Sequence, residues 1–411
     1  MRKLSVAALF MALTMCTSVH TAELKESFSI GLNYAWRSYS GDFGGISAWA
    51  KQGVAADPAP FEEELNDMAA NGVEVIRWWI WPEFWTDAIT FDSNGSPNPV
   101  GQQAIDDALK ALELVDKSGM RVMFCVFSFD GFRPTRERFG ITMTGLHDIV
   151  IDDTKRAALM SNVVRPLISA LGDSPHIDAL HSWDVINEPE WAITGDNKYG
   201  GDAFEPNSEL EPVTHDQMET FVADTIEIMR EETPDIPVSI GSAAVKWLNA
   251  WNGTDVDFYQ PHIYDWVNDY WPYSKSPTEL GFGDKPMIMG EYPAEGLDDA
   301  DHATMLESWF TNGYAGALAW DYRITHAPTE TEDKKATYRN QYLKELSEFT
   351  ASKKIGSDDS AVTSAPSGTG GSGVEPGTEP GTGQSAEPGA PAAATPLPLS
   401  RPDTPVIELD R

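Results

Sequence analysis

Between Glu23 and Ala351 the chain alternates short apolar runs with longer stretches whose apolar positions recur every three to four residues. The short runs predict strands at Phe28 to Tyr34, Val73 to Ile80, Arg121 to Phe129, Ala179 to Asn187, Pro237 to Ser242, Phe258 to Tyr264, Pro286 to Glu291 and Gly316 to Asp321. The periodic stretches predict helices at Phe61 to Asn71, Gln102 to Ser118, Thr154 to Leu171, His215 to Glu232, Ala300 to Asn312 and Lys335 to Phe349. Eight such β–α repeats in roughly 330 residues predict an α/β chain closed as a (β/α)8 TIM barrel, and not an open sheet. Nothing glycine-rich follows the first strand to cradle a dinucleotide.

The two ends break this pattern. Met1-Arg2-Lys3 followed by the apolar Leu4 to Met15 has the charged start and short hydrophobic stretch of a secretory signal peptide, cleaved near Ala22, with Ser18 as an alternative site. The run is too short to span a bilayer, and Cys16 lacks the small residue before it that a lipid anchor needs. From Lys353 the composition turns to Gly, Pro, Ser, Thr, Ala and Glu, with Glu375-Pro376-Gly377-Thr378 echoed at once by Glu379-Pro380-Gly381-Thr382. Such a tail has too few apolar side chains to bury and reads as disordered. The expected organisation is a signal peptide over 1–22, a barrel over 23–352 and a disordered tail over 353–411.

With 64 acidic and 29 basic side chains, the formal charge of -35 disfavours nucleic acid, anionic membrane surfaces and polyanionic glycans as partners. Neutral or cationic polymers fit the charge, which also serves solubility. Of the 2 cysteines, removal of the signal leaves Cys125 alone inside an apolar strand, so the core and not a disulfide must hold the fold. The expected product is a secreted, extracellular or periplasmic monomer without a membrane anchor.

Two glutamates stand out chemically. Glu188 closes Trp183-Asp184-Val185-Ile186-Asn187-Glu188-Pro189, and Glu291 lies in Met287-Ile288-Met289-Gly290-Glu291-Tyr292-Pro293. A proline cannot continue a ladder, so each acid is expected at the C-terminal tip of its strand, where barrel enzymes build their sites. Either acid alone could simply cap a following helix. Together they suit glycoside hydrolysis, which uses one carboxyl to protonate the leaving oxygen and a second to attack the sugar.

The tryptophans support that choice. Of 14, Trp36, Trp49, Trp78, Trp79, Trp81, Trp85, Trp191, Trp247, Trp251, Trp266, Trp271 and Trp320 fall on or after predicted strand ends, and only Trp309 lies on a predicted helix. Each ring alone is explained by core packing; the concentration at one end argues for a cleft that stacks on sugar faces.

These motifs resemble those of the retaining glycoside hydrolases of the TIM-barrel clan with catalytic glutamates on strands four and seven, most closely glycoside hydrolase family 5, the cellulase and β-mannanase family. Asn187-Glu188-Pro189 is similar to the clan's strand-four motif, Gly290-Glu291 to its strand-seven nucleophile, and His262-Ile263-Tyr264 to its strand-six His-x-Tyr. Arg77 matches the strand-two arginine and Trp320 the strand-eight platform. The likeness spans 24–351 in order. It departs after strand three, where Phe127-Ser128-Phe129-Asp130 carries no histidine.

The resemblance implies a retaining β-glycosidase acting on a β-mannan or β-glucan, endo rather than exo, with Glu188 as acid/base and Glu291 as nucleophile. Arg77 and Tyr264 are then expected to keep Glu291 ionised, Asn187 to hold a sugar hydroxyl, and Trp36 and Trp320 to line the cleft. His262 either positions Glu188 or the sugar, or bonds backbone carbonyls. Asp184, Asp265 and Asp321 read as supporting residues and Glu83 as a substrate contact. No cofactor and no catalytic metal are expected from the spacing of ligand-type residues, and no Gly-x-Ser-x-Gly points to a serine nucleophile. Two alternatives use the same scaffold: a transglycosylase sharing every catalytic residue, and a non-catalytic carbohydrate-binding barrel that would not need Glu188, Glu291, Arg77 and Tyr264 together.

Overall fold

The computed structural model describes residues 24, 28–138, 140–264, 274–297, 300–325 and 329–362. The expected signal peptide, most of the expected tail, Asp265, Trp266 and Trp271 lie outside them.

Eight parallel strands form one sheet: β1 (Ser29–Asn33), β2 (Val75–Trp79), β3 (Arg121–Ser128), β4 (Leu180–Asn187), β5 (Val238–Ser242), β6 (Gln260–Pro261), β7 (Ile288–Pro293) and β8 (Gly316–Trp320). Their order is β6-β5-β4-β3-β2-β1-β8-β7. Parallel bridges Tyr259 to Met287 and His262 to Glu291 join the two ends, so the sheet closes into the barrel read from the sequence. β6 is short because Pro261 has no N–H to extend its ladder.

Alternation along the strands builds the interior in layers. On β2, Ile76 and Trp78 face outward into the large core under the helices, while Val75, Arg77 and Trp79 alternate with them. Val75 joins Met123, Phe258, Ile288, Leu318 and Leu24 in an apolar plug, and Trp79 joins Cys125 and Trp320 higher up. Arg77, between these two apolar levels, is fully buried.

Helices cover the outside: α1 (Ala59–Ala70), α2 (Gln102–Ser118), α3 (Asp153–Leu159), α4 (Arg165–Gly172), α5 (His215–Glu232), α6 (His302–Thr311) and α7 (Glu332–Val362). The single helix expected over Thr154 to Leu171 is two, joined by a π turn at Met160–Val164. Pro166 explains it: lacking an N–H, it frees the Asn162 carbonyl four residues back, which accepts from the Val100 amide at 2.9 Å. Thr214 opens α5 with a reciprocal capping box to Gln217. After β5 the connection is a 3-10 turn, Val245–Trp251. α7 is longer than the periodicity suggested, continuing past the change of composition at Lys353.

Candidate active site

Both strands that carry the paired glutamates are irregular near their tips. On β4 the pairing with β5 steps from Asp184–Ser239 to Asn187–Gly241, so Val185 and Ile186 oppose Ile240 alone. On β7 the pairing with β8 steps from Met289–Ala317 to Tyr292–Ala319, so Gly290 and Glu291 oppose Leu318 alone. Each bulge re-aims the strand end. Glu188 then turns with φ 48 and ψ 47, a left-handed conformation costly for a side-chain residue, and Pro189 starts a 3-10 turn. Close approach dictates two glycines. A Cβ on Gly290 would lie 2.5 Å from Gln260 Cγ, and one on Gly241 would lie 2.8 Å from Arg77 Nη2 and 3.1 Å from His262 Nε2.

Arg77 organises the floor. Its Nε donates to Asp184 Oδ2 at 2.8 Å, Nη1 to Asn33 Oδ1 at 2.9 Å and Glu291 Oε1 at 2.6 Å, and Nη2 to Asn187 Oδ1 at 2.8 Å and Cys125 Sγ at 3.6 Å. All five N–H donors are spoken for. Burial works against its charge, but Asp184, Cys125 and Glu291 outweigh this and raise its pKa further. Asp184 also accepts from Gln260 Nε2 and the Gly241 amide, both at 2.9 Å, and Asn33 Nδ2 donates to the Gly290 carbonyl at 2.9 Å. The bulged strands are thus pinned to one buried cation.

Above it the two glutamates meet. Glu291 takes Arg77 on one oxygen and the Tyr264 hydroxyl, at 2.7 Å, on the other. Glu188 takes only neutral donors: the Trp191 indole N–H reaches Oε2 at 2.9 Å and His262 Nδ1 lies 2.8 Å from Oε1. His262 Nδ1 is also 3.6 Å from Glu291 Oε2. A carboxylate oxygen from each glutamate and a His262 nitrogen all lie within 4.8 Å of one another.

Burial raises both carboxyls. Glu188 is pushed to about 7, opposed by the Trp191 hydrogen bond and Arg77. Glu291 is also raised by burial, against the pull of His262 and Arg77 and with a push from Glu188. Two carboxylates this close cannot both ionise freely; the one bonded to the guanidinium keeps the charge and its neighbour the proton. Burial holds His262 neutral, at about 4. Its Nε2 is buried without a hydrogen-bond partner, which places the ring proton on Nδ1, facing the carboxyls.

The remaining expected residues divide. Asn187 is buried with its oxygen committed to Arg77, leaving the amide N–H groups for another acceptor. Trp36 and Trp320 are half-buried, with ring centroids 6.0 Å apart, and each packs on Trp79. The tryptophan concentration is mostly core: Trp78, Trp81, Trp85, Trp183, Trp247 and Trp309 are fully buried, and among the described residues only Trp36, Trp49 and Trp320 are partly exposed. Glu83 is no free substrate contact. Buried, it accepts from Tyr39 at 3.0 Å and from Arg136, and burial and Asp130 push it to about 7.

Asn33, Gly241 and Gln260 escaped sequence reasoning because single polar or glycine positions in strands carry no periodic signal, while Cys125 was read only as a core thiol and Trp191 only as one of many strand-end rings. Glu190, adjacent to the motif, is buried and ties β4 to β5 through Ser242, the Ala243 amide and Trp251. The grouping of Glu188, His262 and Glu291 is also the donor set a cation would need, invisible in sequence because the residues come from three strands. Arg77 already supplies the positive charge there.

The closed β/α barrel is the TIM-barrel fold, and with two carboxyls and a histidine at its strand tips the chain resembles the family 5 glycoside hydrolases. No family model matches it. It is 25% identical to a mannan endo-1,4-β-mannosidase of Mytilus edulis over 328 positions, covering 71% of this chain and 83% of that one. A second, of Cryptopygus antarcticus, is 23% identical over 329 positions, covering 72% and 81%. In fold it is similar to the β-mannanase structure from Mytilus edulis, with a TM-score of 0.59, 24% identity and coverage of 77% and 92%. It is equally similar to the endo-1,4-β-mannanase from Eisenia fetida, with a TM-score of 0.60, 21% identity and coverage of 78% and 91%.

Proposed function

We propose that this protein is an exported, endo-acting hydrolase of β-1,4-mannan that works by double displacement, with Glu291 as nucleophile and Glu188 as acid/base. The observation that carries the reading is the convergence of Glu188 and Glu291, with carboxylate oxygens within 4.8 Å, under different partners. Retaining glycosidases hold their carboxyls about 5 to 5.5 Å apart and inverting ones about 6.5 to 9.5 Å, to fit a water. One oxygen of Glu188 within 4.8 Å of one oxygen of Glu291 fits the shorter of these spacings and supports the retaining reading.

In the first step the neutral Glu188 gives its proton to the leaving oxygen, while ionised Glu291 attacks the anomeric carbon. Arg77 and Tyr264 hold the nucleophile and accommodate its loss of charge as the ester forms. Glu188, now ionised, draws a proton from water, which attacks the same carbon and releases Glu291. His262 Nδ1–H is shared between the carboxyls and orients Glu188 in both protonation states. Asn187 offers N–H donors to a sugar hydroxyl, and Trp36 and Trp320 are the walls against which a ring stacks.

Mannan as the substrate rests on the two relatives named for it. Export rests on the charged start and apolar run of 1–22, and the organisation into leader, barrel and Gly/Pro/Ser/Glu-rich tail, like the monomeric state, belongs to the same proposal. No helix among the described residues is long and apolar enough to cross a membrane. The test is a panel of mannan, β-glucan, xylan and chitosan assayed for reducing ends, with magnetic resonance of the first-formed anomer. Internal cleavage of mannan giving the β-anomer is expected. Release from another glycan alone would reassign the substrate, and an α-anomer would overturn the double displacement.

A further inference from the structure

Trp36 and Trp320 belong to the connections of two neighbouring strands, and one carboxylate grips both connections. Trp36 follows β1 and Trp320 ends β8; neither ring has a hydrogen bond to fix it among the bonds described, and both stay half-buried. Their neighbours are fixed instead. Glu64, on the second turn of α1, accepts on Oε1 from Arg37 Nη1 at 2.5 Å and from Arg323 Nη1, and on Oε2 from the Tyr34 hydroxyl. Arg37 is the residue after Trp36, Tyr34 lies two before it, and Arg323 lies three after Trp320. One turn further along α1, Asp67 accepts from the Tyr322 hydroxyl at 2.8 Å.

We infer that Glu64 is a positioning residue for sugar binding: it clasps the β1 and β8 connections together and thereby sets the spacing of the Trp36 and Trp320 walls. Glu64 touches neither ring, so its influence passes through the backbone of residues 34–37 and 320–323. The environment makes this effective. The Glu64 side chain is only 16% exposed, its partners Arg37 and Arg323 33% and 30%, so the pairs are shielded from the screening that weakens open surface pairs. Its anchor is firm, because Phe61, Leu65 and Met68 on the same helix are buried in the core. The short turn beyond Trp36 is held independently: Asp42 accepts from the Arg37 and Ser38 amides, both at 2.7 Å, and from the Trp78 indole at 3.0 Å. Loss of Glu64 should therefore loosen the relative placement of the two walls without unravelling either connection.

This inference rests on the proposed stacking of sugar against the two rings, so the experiment has one arm that needs no sugar. Glu64→Gln keeps the volume and removes the charge that holds two arginines. Glu63→Gln, on the exposed side of the same helix, makes the same charge change with none of the bonds described for Glu64 and serves as the control. The near-ultraviolet circular dichroism of the ligand-free protein is expected to change in Glu64→Gln and not in Glu63→Gln. On a β-1,4-linked mannan oligosaccharide, KM should rise roughly fivefold with kcat within about twofold and the pH profile unmoved. Arg37→Gln and Arg323→Gln, which each remove one arm from a partly exposed position, should each reproduce part of that rise. Combined with Glu64→Gln they should add less than their separate effects.

A Glu64→Gln protein whose dichroism and KM match the Glu63→Gln control would overturn the clasp. So would a fall in kcat with KM unchanged, or a lower melting temperature with both readouts unmoved, since these mark a merely structural residue. If the wild-type protein neither binds nor cleaves the oligosaccharide, the proposed function fails, and the dichroism arm still decides whether Glu64 sets the rings. If Glu64→Gln does not fold, unchanged dichroism and KM in Arg37→Gln and Arg323→Gln would reject the proposal.

Discussion

Glu188 and Glu291 are the same residue type, both buried at the tips of bulged strands, with oxygens within 4.8 Å of each other and one histidine between them. Yet the strand-seven pocket offers a guanidinium and a phenol, whereas the strand-four pocket offers an indole and a neutral imidazole. Burial raises both carboxyls; what separates them is that one has a cation to pair with. In the proposed mechanism the acid and nucleophile roles therefore follow from the side chains one layer below and beside the glutamates, and not from the glutamates themselves.

The sharpest way to break this comparison is to remove each carboxyl. Glu188→Gln and Glu291→Gln should each lower kcat by about 10⁴-fold or more on mannan, with unchanged circular dichroism. Truncation to alanine then separates the roles. With azide and a substrate bearing a good leaving group, Glu188→Ala should give a β-glycosyl azide, because the glycosyl-enzyme still forms on Glu291. Glu291→Ala should give the α-azide by direct attack. The same anomer from both would dissolve the distinction.

Removing the cation should erase the asymmetry more gently. Arg77→Met leaves Glu291 without its charged partner, so its carboxyl holds a proton to higher pH and the acid limb of kcat/KM moves up. Asp184 is also left unpaired in a buried site, and the unfolding free energy should fall by about 3–5 kcal/mol, measured by denaturant titration. An unmoved acid limb in a folded Arg77→Met protein would show that the guanidinium does not set the nucleophile's charge.

A subtler change sharpens the other pocket. The Trp191 N–H favours ionised Glu188, so Trp191→Phe should raise that carboxyl above about 7 and carry the alkaline limb of the rate profile up, by about one unit at most. A downward shift would mean that the indole bond supports the neutral acid.

The smallest effect is on stability. Glu188 binds its proton more tightly folded, at about 7, than unfolded, near 4.5, so its contribution is fully present below the unfolded value and is lost as pH rises through about 7. Glu83 and Glu190, also pushed by burial to about 7, act in the same direction. The melting temperature should fall between pH 5 and pH 8, and Glu188→Gln should flatten the slope. A profile that climbs over this range would contradict the assigned protonation.

Much of this molecule is legible in the chain. Apolar runs and helical periodicity placed all eight strands within a few residues, because barrel strands are buried on both faces and the surrounding helices on one. The Asn-Glu-Pro and Gly-Glu-Tyr-Pro motifs located the carboxyl pair, because each proline stands where its strand runs out, Pro189 just past β4 and Pro293 at the last residue of β7. The split between α3 and α4 could have been read from Pro166, whose missing donor acts locally.

Contacts between strands distant in sequence were not legible. Trp78 and Trp79 are adjacent and chemically identical, yet the pleat sends one under the helices and the other toward the barrel mouth, so counting tryptophans overstated the cleft. Arg77 was recognisable, but its links to Asn33, Cys125, Asp184 and Asn187 need four strands in register. The sequence by itself determined the barrel and which two acids reach its mouth, since local pattern and turn chemistry suffice for both. Only the tertiary structure decided which acid carries the charge, because a carboxyl's protonation depends on desolvation and on partners that closure of the barrel brings within 3 Å.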